Sequence, residues 1–131
     1  VKSKLKRNDL FEPDLSYKIV GVCFRVFNEL GPGLHEKYYQ KAMIIALREE
    51  KISFKEQQLI PIKFLDNNIG RYFMDFVIDN KIVLELKTGN QINRMHAKQL
   101  LAYLKTTGLK LGILVYFGKD GVFFKRIINI N

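Results

Sequence analysis

The chain has 131 residues, 47% of them hydrophobic and 27% charged, with a formal net charge of +9. That length suits one domain with a real core, the composition argues against a disordered chain, and no apolar run approaches the roughly 20 residues of a membrane-spanning helix. A single cysteine excludes a disulfide framework and a cysteine-based zinc site, while the positive excess favours encounter with polyanions, nucleic acid foremost.

Val1 to Arg7 is basic and no apolar segment follows it. Residues 1–12 are therefore expected to form a flexible basic tail, residues 13–131 a single domain, and the protein to reside in the cytoplasm. Glu12-Pro13-Asp14 reads as the start of a helix with Asp14 as N-cap; Ile19, Cys23, Val26, Phe27 and Leu30 then recur at the spacing of one helical stripe. Cys23, on that stripe, reads as a small core residue. Gly31-Pro32-Gly33 ends the helix, since Gly permits a left-handed cap and Pro cannot continue the ladder. A second helix is expected from Leu34 to about Glu50. Glu36 falls in its first turn, Tyr39 lies three residues on and nearly on the same face, and Met43, Ala46 and Leu47 continue an apolar stripe. By itself Glu36 suits the helix dipole, an effect of roughly 0.3–1 kcal/mol.

From Ser53 to Phe64 the pattern moves toward period two, and Pro61 marks an edge strand or a break. Asp66-Asn67-Asn68-Ile69-Gly70 is expected to be the turn of a hairpin into the next strand, which begins near Tyr72. That strand and its successor each hold one carboxylate in an apolar run: Asp75 in the first, Glu85 in the second, with Lys87 two residues beyond. Buried strands rarely hold charges without a reason.

The pleat constrains how these two strands pair. Tyr72, Met74, Phe76 and Ile78 share one face and Phe73, Asp75 and Val77 the other; Ile82, Leu84 and Leu86 oppose Val83, Glu85 and Lys87. A two-residue loop would set apolar residues against the wrong face. A three-residue loop, Asp79-Asn80-Lys81, pairs Ile78 with Ile82, Phe76 with Leu84 and Met74 with Leu86. It also sets Asp75 across from Glu85, with Lys87 on the same face. Two facing carboxylates repel unless a cation lies between them. Hard oxygen donors, with no cysteine set and only two histidines, favour magnesium or manganese over zinc.

A third helix is expected from about Asn93 to Thr107, with Met95, Leu100, Leu101 and Leu104 on its apolar side and His96, Gln99 and Tyr103 at helical spacing on another. His35 and His96 both read as solvated helix positions. Leu111 to Phe117 is a continuous apolar run, the mark of a central strand; Gly118-Lys119-Asp120-Gly121 is a hairpin turn and Val122 to Ile128 a last strand. The order α, α, β, β, β, α, β, β predicts a mixed α/β domain, of the α+β kind: about five strands in one mixed sheet flanked by helices, with a right-handed parallel crossover through the third helix.

An acidic residue in one strand, Glu-X-Lys at the end of the next and a helix bearing Gln and Tyr together resemble the PD-(D/E)XK nuclease superfamily. Gly33-Leu34-His35-Glu36-Lys37-Tyr38-Tyr39 is similar to the Gly-x-x-Glu-x-x-Tyr pattern of its GxxExxY branch. The likeness continues through Leu84-Glu85-Leu86-Lys87, Gln99-Leu100-Leu101-Ala102-Tyr103-Leu104 and Leu111-Gly112-Ile113-Leu114. The resemblance implies a restriction-endonuclease-like core in which Asp75, Glu85 and Glu36 ligate a divalent metal, Mg2+ or Mn2+, Lys87 assists the attacking water, and Gln99 supports the site, with Tyr39 and Tyr103 as further supporting residues. The expected activity is metal-dependent hydrolysis of phosphodiester bonds, with DNA as partner and substrate. No sequence feature marks a dimer seam, although nucleases of this fold often act as homodimers. The alternative is a nuclease-fold module that binds nucleic acid or protein without useful turnover; a structural ion-pair ladder of Asp75, Glu85 and Lys87 accounts less well for Asp75.

Overall fold

The structure, a computed structural model, describes residues 11–130. Most of the expected basic tail, residues 1–10, lies outside the described residues. Helix α1 spans Pro13–Leu30 and α2 spans Glu36–Glu49; strands β1 (Phe54–Phe64), β2 (Asn67–Ile78) and β3 (Ile82–Thr88) follow, then α3 (Arg94–Thr107), β4 (Leu111–Phe117) and β5 (Val122–Ile128). No helix among the described residues is long and apolar enough to cross a membrane.

Pro13 sits in the first turn of α1, where its missing N–H costs nothing. The N-cap is Glu12, in a left-handed conformation (φ 49°), and not Asp14, which lies inside the first turn. A cap must precede the first helical residue, and Pro13, whose φ is already helical, sets that boundary two residues earlier than expected. At α3, which starts one residue after the expected Asn93, Asn93 is the N-cap and accepts the Met95 N–H on its side chain at 2.8 Å. Gly108, at φ 80°, closes α3 by donating its N–H to Leu104 O.

The five strands form one sheet in the order β1-β2-β3-β4-β5, antiparallel except for the parallel pair β3–β4 that α3 connects. Two cores lie on its two faces. On one, Ile19, Cys23 and Val26 of α1 and Tyr39, Met43 and Leu47 of α2 pack on Phe76, Ile78, Leu84, Leu86, Ile113 and Val115. On the other, Leu100, Tyr103 and Leu104 of α3 cover Val77, Val83, Leu114 and Tyr116. β4 is buried throughout, as its unbroken apolar run demands. Buried Asn129 fastens α3 to the sheet: its Nδ2 donates to Leu104 O at 3.2 Å and Leu109 O at 3.1 Å.

Two expectations need correction. The turn between β1 and β2 is Leu65-Asp66, both left-handed, and β2 starts at Asn67, so the expected turn residues Asn67 to Gly70 are strand. Leu65 took the φ > 0 position that Asn or Gly usually fills. β2 also fails to keep one pleat from Tyr72 to Ile78. Phe76 and Ile78 face α1 and α2, but Met74 packs on the α3 side with Val77. The strand turns over at Asp75, opposite Gln57, whose φ of 48° interrupts β1; pairing is intact on both sides, at Glu56↔Phe76 and Gln58↔Met74. A local irregularity of this kind re-aims side chains without shifting register.

The β2–β3 pairing agrees with the pleat argument where the ladder exists: Ile78↔Ile82, Val77↔Val83 and Phe76↔Leu84, around Asp79-Asn80-Lys81. There the recorded ladder stops, one pair short of Asp75 and Glu85.

The crossover depends on one absent side chain. A Cβ on Gly112 of β4 would sit 2.8 Å from Leu100 Cγ and about as close to both of its methyls. Gly112→Ala is expected to destabilise the fold by about 1–3 kcal/mol through overpacking. Chemical denaturation would show a lower midpoint at unchanged slope, and Leu100→Ala in the same chain should offset part of the Gly112→Ala loss.

Candidate active site

Where β2 and β3 leave their ladder, side chains replace the backbone pairing. The Asp75 N–H donates to Glu85 Oε1 at 2.9 Å, and the Leu86 N–H donates to Asp75 Oδ2 at 2.7 Å. Each carboxylate thus satisfies a backbone donor of the opposite strand, and both are buried, at 7% exposure. The sequence placed Asp75 and Glu85 side by side; that they are themselves the pairing was not expected.

The gap between the strands is reached from both layers. From α2, Gln40 Nε2 donates to Asp75 Oδ1 at 2.9 Å and to Glu36 Oε2 at 3.4 Å, while the Thr88 backbone N–H lies near enough to the Glu36 carboxylate to favour its charged form. From β3, Lys87 Nζ stands 3.9 Å from Glu85 Oε2. On the α3 side, Tyr72 lies within reach of the Glu85 charge and donates its hydroxyl to Gln99 O at 3.1 Å. The structure therefore brings Glu36, Asp75, Glu85 and Lys87 to one place.

The other three candidates sit elsewhere. Gln99 is exposed, and its link to the strands runs through its carbonyl oxygen. Tyr103 is buried in the core under α3. Tyr39 is fully buried, stacks on Phe117 with centroids 4.3 Å apart, donates its hydroxyl to Gly31 O at 2.7 Å and accepts the Leu34 N–H.

Three residues that the sequence did not mark as site candidates belong to this neighbourhood. Gln40 is four residues past Glu36 and hence on its helix face; that spacing was a legible signal. Tyr72 was hidden by the reversal at Asp75. His96, read as solvated, is half-buried: its Nδ1 lies 2.6 Å from Tyr116 Oη, which accepts the Asn93 N–H at 2.9 Å. Burial and the nearby Lys87 charge both lower the His96 pKa.

The electrostatics follow from burial. Desolvation, then the Asp75 charge, pushes Glu85 up to about 8, against the opposing pull of the Asp75 N–H and Lys87. Asp75 is raised as well, chiefly by burial, with the Leu86 N–H, Glu85, Lys87 and Gln57 all working the other way. Glu36 is raised by burial and by Asp75, with Lys87 opposing. Two buried carboxylates that resist simultaneous ionisation suit a divalent cation, and carboxylate oxygens are hard donors. Each engaged oxygen retains a lone pair beyond its N–H partner. Among the described residues, though, no group of three or more His, Cys, Asp or Glu is close enough to enclose a metal. The fitting donor set is Asp75 and Glu85, with Glu36 joined to them through Gln40.

A mixed five-stranded sheet flanked by helices, with its carboxylates and lysine where two strands part, defines a restriction-endonuclease-like domain. Residues 13–127 match the family model of the PD-(D/E)XK nuclease superfamily, and the chain belongs to that superfamily. Its nucleases usually use divalent metals and act on nucleic acid. The solved structure of SSO0001 superposes with a TM-score of 0.59 at 24% identity, over 72% of this chain and 50% of that one, a likeness of fold. The chain thus spans half the length of that protein. No curated protein matches the chain significantly.

A carboxyl whose folded pKa exceeds its unfolded value binds more protons when folded across the interval between them, so stability falls as pH rises through it. Without metal, the thermal midpoint is expected to drop between about pH 4.5 and about pH 8. Glu85→Gln, which still accepts the Asp75 N–H, should flatten that decline and raise the midpoint at pH 8. A pH series by differential scanning calorimetry reads both effects; an equally steep decline in the variant would contradict the assignment.

Proposed function

We propose that this chain is a magnesium- or manganese-dependent hydrolase of phosphodiester bonds in DNA, of the GxxExxY branch of its superfamily. The observation that carries the reading is the reciprocal lock of Asp75 and Glu85 at the strand gap, with Lys87 3.9 Å from Glu85 and Glu36 joined through Gln40. Asp75 and Glu85 would hold the cation, with Glu36 as the third carboxylate. When bound, the cation supplies positive charge at the scissile phosphate and makes water a competent nucleophile at neutral pH.

The chain's own groups do the rest. Gln40 and the Leu86 N–H fix the two Asp75 oxygens, so the carboxylate is oriented before substrate arrives. Lys87, a compact ammonium that is partly covered, orients the attacking water and offsets the charge that gathers on the phosphorus oxygens. Tyr72 lies near Glu85 on the α3 side, its hydroxyl donated to Gln99 O. The net charge of +9 holds the polyanion through its phosphates, which gives affinity without sequence readout.

One observation favours a second reading, in which the fold binds nucleic acid without useful turnover: no three-carboxylate cluster is closed among the described residues. The two readings part in a single set of measurements. Under the first, plasmid or branched DNA is cut with Mg2+ or Mn2+, Lys87→Ala lowers the rate at least a hundredfold, on the order of the loss of one transition-state donor, and Asp75→Asn abolishes Mn2+ binding by calorimetry. Under the second, DNA binding is salt-sensitive, neither wild type nor variant cuts any substrate, and Asp75→Asn changes no metal heat.

A further inference from the structure

A cavity of about 460 Å3 opens beside the carboxylates, at the carboxyl ends of the parallel strands β3 and β4. Ends of this kind are where α/β sheets commonly take ligands. Its floor has little side chain: Gly89 follows β3 and Gly118 follows β4, and a Cβ on Gly118 would meet Asn90 Oδ1 at 2.9 Å and Gly89 O at 3.1 Å. Two hydrogen bonds seal these loops, Gly89 N–H to Phe117 O at 3.2 Å and Lys119 N–H to Asn90 Oδ1 at 2.6 Å. With its oxygen so engaged, the Asn90 side chain offers its Nδ2 donors, and Lys119 is exposed beside it.

The opposite wall comes from Pro32, Gly33 and Leu34, ahead of α2. Tyr39 holds this segment: its hydroxyl binds Gly31 O and Leu34 N, and its ring lies flat on Phe117, which also lines the cavity. Gly33, at φ 93°, adopts a conformation that other residues resist. Thr88 belongs to both places, lining the cavity while its N–H lies near the Glu36 carboxylate. None of the described lining residues is acidic.

A side-chain-poor floor, an apolar wall and two donor groups without an acid match one nucleotide of a single strand: phosphate toward Lys119 and Asn90, base against Pro32, Leu34 and Phe117. We infer that this groove is a subsite for the nucleotide adjoining the scissile phosphate, and that the Gly33-to-Tyr39 segment builds it. The inference rests on the proposed nucleic-acid chemistry of the carboxylate site, but binding can be read without cleavage.

The experiment is titration of the metal-free 15N-labelled protein with a short single-stranded oligodeoxynucleotide, followed by amide spectra and by fluorescence anisotropy across a salt series. Shifts are expected at Gly33, Gly89, Gly118 and Lys119. Lys119→Ala should weaken binding about fivefold and lower the log–log salt slope by about 0.7, the value for one phosphate contact on a single strand, whereas Lys63→Ala on β1 should do less. Lys119→Glu should weaken binding further. Shifts confined to the β1–β2 hairpin, or an affinity and slope indifferent to Lys119→Ala, would overturn the subsite even if the protein cuts DNA. Groove shifts in a protein that cuts nothing would support the subsite while the hydrolase reading falls.

Discussion

The structure depends on the exchange that occurs where β2 and β3 part. Up to Phe76↔Leu84 the strands are joined by backbone; one residue later the Asp75 N–H turns to Glu85 and the Leu86 N–H turns to Asp75. A buried N–H without an acceptor costs about 1–3 kcal/mol. Separating two strands inside a core would expose several such groups, so the gap exists only because the carboxylates fill the acceptor positions. The same side chains that close the hydrogen-bond ledger open the space for chemistry.

That arrangement carries an electrostatic cost, and the rest of the site moderates it. Burial raises both carboxyls and the Asp75 charge raises Glu85 further, while Lys87 and the two backbone donors pull them down. Lys87 cannot neutralise two carboxylates alone. The metal-free site therefore favours a proton held by the pair, and a divalent cation would displace that proton, linking metal affinity to pH. Hydrogen-bonded Gln40 contributes orientation without charge, which keeps the third carboxylate, Glu36, close without adding a further repulsive contact at hydrogen-bond range.

Much of this was legible in the sequence because it depends on period and parity. The eight elements, the three-residue turn Asp79-Asn80-Lys81 and the parallel crossover follow from alternation, helical spacing and apolar runs. Asp75, Glu85 and Lys87 stood out as charges in buried strands. What escaped were departures from regular geometry. Left-handed Gln57 and the reversal at Asp75 have no Gly, Pro or Asn to announce them, so Tyr72 and Met74 were assigned to the wrong face. His96 was misread for another reason: its partner Tyr116 is twenty residues away, and no local pattern encodes a contact that forms only when α3 lies over β4.

The segment from Gly33 to Tyr39 shows why a spacing of three recurs there. Successive helical residues turn by about 100°, so Glu36 and Tyr39 point about 60° apart, adjacent but not coincident. One reaches Asp75 through Gln40; the other enters the core against Phe117 and returns a hydroxyl to Gly31 and Leu34. Gly33, three residues before Glu36, supplies the left-handed bend that lets the chain pass from α1 into α2. Tyr39 is fully buried, and its hydroxyl ties the helix that carries Glu36 to the loop ahead of it. Replacing Tyr39 by Phe would keep the stack and release the loop, so any effect of that change on the carboxylate site would have to travel through the backbone between Gly31 and Glu36.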